Sequence, residues 1–190
     1  ESAGFRQIPF SRELLIEKED FKEEGNKKFF RLALGGEVRL KNGYIIQAVR
    51  CDKDENGAIT CVYCTYDPKS KSGSGTEESL RKVKGTLHWV SAAHALPVEV
   101  RLYDRLFTDP TPDSHKDVPF LSLVNPNSLE VIQAFVEPGL AEAQPEDRFQ
   151  FQRMGYFVVD KDSKPGKLVF NKTVGLRDTW ARLEATENGG

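Results

Sequence analysis

Period-two alternation is the feature that most limits what this chain can fold into. In Glu37-Val-Arg-Leu-Lys41 the apolar Val38 and Leu40 alternate with charges, and Val98, Val100 and Leu102 alternate with Glu99, Arg101 and Tyr103. Successive strand side chains point to opposite faces, so this pattern describes strands with one face in a core and the other in water. Tyr44 to Arg50, Ala58 to Tyr66, Val83 to Val90, Phe149 to Val159 and Lys167 to Val174 are further β-rich candidates. Within 83–90, Val83, Gly85, Leu87 and Trp89 would share one face. Asn56-Gly57 lies between two of these runs and predicts a hairpin, with φ > 0 at both central residues of a type I′ turn. Helical signals are few. Glu19 to Arg31, with Phe21 and Phe29 eight apart, is the best, and Ser128 to Phe135 fits helix or strand. The expected fold class is mainly β with a few short helices.

Loop composition divides the 190 residues. Pro68 to Ser79 is rich in Ser, Gly and Lys and reads as flexible, while Asp109-Pro-Thr-Pro-Asp113 reads as a stiff polar loop. Strands of this length and number fit two barrel-like units, 1–95 and 96–190. The chain opens on Glu1 rather than Met, so a longer parent is expected, and 1–10 has no targeting pattern. Three cysteines, an odd number, argue against a secreted disulfide framework and for a reducing, cytoplasmic setting. No apolar run approaches the roughly 18 residues that a spanning helix needs.

Most catalytic and metal chemistry is excluded by spacing. Cys61-Val-Tyr-Cys64 has a metal-like spacing, but residues three apart on a strand face opposite ways, and Cys51 would stand opposite Val62. His88, His94 and His115 have no acid or nucleophile at a telling distance in sequence. Lys69-Ser-Lys-Ser72 looks like a synthetase lysine loop, but it lacks a nucleotide-binding βαβ setting and is read as coincidence. No glycine-rich phosphate loop is present. No catalytic residue, metal site or cofactor is therefore assigned to these residues.

What remains is cations interleaved with rings. Lys27-Lys28-Phe29-Phe30-Arg31 is one such run, and Arg39 and Lys41 lie on the charged side of a strand. Phe149-Gln150-Phe151-Gln152-Arg153 would place Phe149, Phe151 and Arg153 on one face and the glutamines on the other. Single-stranded RNA bases stack on rings and guanidiniums, and Arg and Gln can read their edges. Solvated strand faces are the plainer explanation of the same pattern. Bulk charge does not favour nucleic acid, since the net charge is −2, with 16 basic against 14 acidic residues in 1–95 and 11 against 15 in 96–190. A local cationic groove would suffice, and specificity would then rest on a few placed side chains.

Longer blocks are more specific. Lys82 to Phe107, Val169 to Trp180, Arg6 to Ser11, Gly35 to Leu40 and Phe149 to Phe157 resemble, in order, the C-terminal region of glutaminyl-tRNA synthetases. The resemblance covers essentially the whole chain. It implies two consecutive β-barrels that hold an anticodon loop, in a class I enzyme whose catalytic domain lies upstream. That enzyme joins glutamine to tRNA(Gln) with ATP and Mg²⁺, and a monomer is expected. The resemblance also implies that Arg31 reads the third anticodon base, Arg39 contacts the first, and Gln150 helps read the central uracil with Arg153 nearby. Lys28 and Phe30 stand where the family has Gln and Lys, so their contacts would change, Lys28 toward phosphate attraction and Phe30 toward stacking. Lys27 and Lys41 complete the expected anticodon-binding set. Arg177 and Asp178, in the block Thr173 to Trp180, are a candidate relay toward the catalytic part. Glutamyl-tRNA synthetases of the archaeal and eukaryotic type resemble the chain less closely, and a single barrel of this kind resembles a ribosomal 5S-RNA-binding protein.

Overall fold

The computed structural model describes residues 5–26 and 28–176. These form two compact units, 8–94 and 95–176, with the short segment 5–7 belonging to the second. Within that second unit Arg6 forks onto Glu137, with Nε 2.6 Å from Oε2. The described residues are mainly β.

The unit 8–94 holds β1 (Leu14–Leu15), β2 (Phe21–Lys22), β3 (Leu32–Ala33), β4 (Glu37–Leu40), β5 (Ile45–Lys53), β6 (Ile59–Asp67), α1 (Glu77–Leu80), β7 (Thr86–Leu87) and β8 (Val90–Ser91). Its main sheet runs β6-β5-β4-β7, and β1–β8 and β2–β3 form two small pairs. The alternation in β4 is realised: Val38 and Leu40 are 1% and 0% exposed. They pack with Leu32, Ile46, Leu87 and Trp89. Each large apolar side chain buried this way contributes roughly 1.5–3 kcal/mol. The β5–β6 hairpin turns at Asn56-Gly57, but only Gly57 has positive φ, 79°. The Gly57 N–H donates to the Asp54 carbonyl at 3.0 Å. The Asp54 carboxylate accepts from the Asn56 and Ala58 amides at 2.9 and 2.8 Å. A side-chain cap on an ordinary turn thus replaces the expected mirror-image turn. Cys51 does pair with Val62.

The unit 95–176 holds β9 (Leu96–Tyr103), β10 (Leu129–Val136), β11 (Arg148–Phe151), β12 (Gly155–Val159) and β13 (Val169–Val174). They form one sheet in the order β10-β9-β13-β12-β11. Val98, Val100, Phe157, Val159 and Phe170 build its core. On the sheet's polar side Arg101 meets Glu99 at 2.9 Å and Asp162 at 2.8 Å.

Several local expectations are corrected. Glu19 to Arg31 is not a helix. A 3₁₀ turn over Lys18–Asp20 leads into β2, and the chain is then irregular. Gly25-Asn26 interrupts any helix there, and a Cβ on Gly25 would come within 2.9 Å of the Ala33 Cβ. Ser128 to Phe135 resolves as the edge strand β10, paired along its length with β9. Val83 to Val90 breaks into β7 and β8, although Leu87 and Trp89 are both buried as alternation requires. Phe149 to Val159 is a hairpin, β11–β12, rather than one strand. Among the described residues no helix is long and apolar enough to cross a membrane.

Candidate nucleic-acid interface

In the unit 8–94 a cavity of about 410 Å³ opens between residues 25–31 and 82–85. Phe29, Phe30 and Arg31 line one side, and Lys82, Val83 and Lys84 line the other. Gly85 allows the two segments to meet, because a Cβ there would fall 2.5 Å from the Phe30 carbonyl oxygen. Glu37 also lines the cavity, and Arg81 covers its charge at 2.5 Å. That hydrogen bond holds the Glu37 carboxyl below its ordinary range.

Arg31 stands at the base of this arrangement. Its Nε lies 3.0 Å from Asp20 Oδ1, a carboxylate only 1% exposed. Its Nη1 donates to the Phe30 carbonyl at 3.0 Å. A buried carboxylate is costly unless charge and hydrogen bonds compensate it, so Asp20 ties Arg31 to the fold. Phe30 is 51% exposed, a large ring left in water. Lys22 sits 5.0 Å over the Phe29 ring and holds it against the loop. Lys28 is exposed, and its amide donates to the Asn26 side chain at 2.9 Å. Lys27 lies outside the described residues, as do Arg177 and Asp178.

Arg39 has a different setting from Arg31. It projects from β4 onto the loop that follows β6. Its Nη1 donates to the Ser70 carbonyl at 2.8 Å, and its Nη2 to the Ser79 and Arg81 carbonyls at 3.0 and 3.1 Å. The Ser72 hydroxyl is a further, longer contact at 3.4 Å. Arg39 therefore pins 70–81 in place, and through Arg81 it positions the segment that carries Lys82 and Lys84. Lys41, just past β4, is exposed, and its carbonyl accepts the Trp89 indole N–H at 3.0 Å.

Gln150 and Arg153 lie in the other unit. Gln150 is exposed on β11 and pairs across the hairpin with Tyr156, which is itself exposed. Phe149 and Phe151 face inward, and the Phe151 ring stacks on Phe157 at 4.5 Å between centroids. They are half-buried and packed against the core, so their rings serve the fold first. Arg153 does not share their face. It occupies the turn between β11 and β12 with φ 67°, so the strand alternation that put it beside the phenylalanines ends before it.

Three residues escape a reading of sequence alone. Lys82 and Lys84 reach the cavity from fifty residues away, and the only local sign is their alternation just before Gly85. Tyr156 sits opposite Gln150 and offers the ring that Phe149 and Phe151 do not. Among the described residues no cluster of His, Cys, Asp and Glu could hold a metal ion.

Two family models match the chain, each described as an anticodon-binding domain of class I tRNA synthetases (E and Q), over residues 1–67 and 86–160. The glutamine–tRNA ligase of Vibrio parahaemolyticus is 57% identical over 182 residues, covering 95% of this chain and 32% of the relative. That of Proteus mirabilis is 55% identical, covering 95% and 32%, and that of Rhodopirellula baltica 57%, covering 97% and 31%. The chain spans about a third of the length of these relatives. The two models share one description and leave little of the chain between them, and the relatives are similar across nearly all of it. The chain belongs to the anticodon-binding domains of the class I tRNA synthetases for glutamate and glutamine.

Proposed function

We propose that this chain is the anticodon-reading part of a longer glutamine–tRNA ligase and that its ligand is the anticodon loop of tRNA(Gln). The observation that carries the reading is the cavity where Phe30, Arg31, Lys82 and Lys84 converge. An unstacked base enters it. The exposed Phe30 ring stacks on the base face, and the Arg31 fork donates to a guanine O6/N7 edge. Lys82 and Lys84, with Lys27, Lys28 and Lys41, attract the flanking phosphates and carry no sequence information. In the other unit Gln150 reads the central uracil, since an amide both donates and accepts. Tyr156, its cross-strand neighbour, supports that base, and Arg153 lies nearby. Arg39 acts on the first anticodon base by holding the 70–81 loop in shape.

The longer ligase joins glutamine to the tRNA using ATP and Mg²⁺, held by residues outside this chain. It works as a monomer in the cytoplasm, where three free thiols stay reduced. The test is charging by the full-length protein. With glutamine and tRNA(Gln) it forms aminoacyl-tRNA, whereas charging with glutamate in preference would assign the chain to the glutamyl branch.

A further inference from the structure

We infer that Asp20 is a positioning residue for base reading, acting through Arg31. The inference rests on the proposal that Arg31 reads the third anticodon base.

Asp20 closes the 3₁₀ turn Lys18–Asp20, and its amide donates to the Glu17 carbonyl at 2.9 Å. The next residue, Phe21, starts β2, which pairs in parallel with β3 at Leu32. Asp20 and Arg31 therefore precede directly paired residues, and the ladder fixes both of their backbones. The Phe21 and Leu32 side chains are core, 7% and 1% exposed, so the pair stands on a rigid base. The carboxylate is 1% exposed while the guanidinium remains 35% exposed. One end of the ion pair is anchored in the interior and the other opens on the cavity.

The contacts divide the guanidinium. Nε faces Asp20 and Nη1 donates to the Phe30 carbonyl. A guanidinium can read a base edge only if its plane is fixed, and the two anchors fix it. Without the carboxylate the side chain keeps its charge and its attraction for RNA, but its plane can rotate. The position would then draw any base without choosing among them. Asp20 touches no base in this scheme.

The test uses the full-length protein and tRNA(Gln) transcripts changed at the first or the third anticodon base. Asp20→Asn keeps the shape and removes the charge. Asp20→Glu keeps the charge and moves the carboxylate by one methylene. Dissociation constants for each transcript give two discrimination ratios, and thermal unfolding followed by circular dichroism confirms that each variant is folded. The expected result is that third-base discrimination falls about tenfold in Asp20→Asn, the lower range of one paired base contact. First-base discrimination and the salt slope of binding stay as in the unsubstituted protein. If Asp20→Asn does not fold, Asp20→Glu decides by the same ratio. Equal weakening for all transcripts, or an intact third-base ratio in a folded variant, overturns the positioning role. An unsubstituted protein indifferent to the third base overturns the anticodon reading itself, and this inference with it.

Discussion

Gly85→Ala is the sharpest structural perturbation of the cavity. A Cβ at this position would lie 2.5 Å from the Phe30 carbonyl oxygen and 3.1 Å from Val38 Cγ1. Ordinary contact begins at 3.4 Å, so the two segments must part by about 0.9 Å along the worse contact. The obstacle is backbone, which cannot rotate away. Overpacking of this kind costs about 1–3 kcal/mol, and replacing Gly by Ala returns roughly 0.4–1 kcal/mol through the unfolded chain. The midpoints of these ranges leave a net destabilisation of about 1.3 kcal/mol. For a unit of this size that lowers Tm by roughly 5–10 °C. Trp89, 4% exposed in the same unit, reports the transition by fluorescence. Gly139→Ala is the control, with nothing within 4 Å of its Cβ. The clash also displaces the Phe30 carbonyl to which Arg31 Nη1 donates, so third-base discrimination falls together with Tm. A Gly85→Ala protein that melts within a degree of the parent and discriminates as well would refute the close approach on which the cavity depends.

Other outcomes follow from charge. Asp160 is held below its ordinary value of 3.8 by the Asp162 amide, by Asn171 and by Arg101. A depressed folded value stabilises above the unfolded one and is lost as pH falls through the folded one, so stability drops below about pH 4. Asp160→Asn flattens that acid limb in pH-dependent unfolding, and an unchanged limb would contradict the network. Lys82→Ala with Lys84→Ala lowers the salt slope of tRNA binding by about 0.7 for each phosphate no longer neutralised. It leaves base discrimination intact; an unchanged slope removes the lysines from the interface.

The core was the most legible part of the sequence. Val38, Leu40, Val98 and Val100 alternate with charged residues, and burial follows the alternation because a half-buried strand tolerates little else. Glu19 to Arg31 misled because Phe21 and Phe29 mimic a helical face. In fact Phe21 enters a parallel pair with Leu32, a long-range pairing that no local period announces. Arg31 could be named, but its anchor could not, since nothing in sequence distinguishes Asp20 from the acidic residues around it. The acceptors of Arg39 are backbone carbonyls some thirty to forty residues further along, and backbone carries no sequence signature. Arg153 was misplaced because a turn at positive φ is expected to use Gly or Asn.

The central claim is that Arg31 selects a base and does more than attract RNA. Arg31→Lys tests it most directly, since a lysine retains the charge beside Asp20 but has no planar fork. The measurement is the affinity of the full-length protein for tRNA(Gln) transcripts with each third anticodon base, at fixed salt. The account predicts that Arg31→Lys loses about 1–3 kcal/mol of preference for guanine while binding of the other transcripts changes little. A uniform weakening across all four transcripts would contradict it and reduce Arg31 to a phosphate contact.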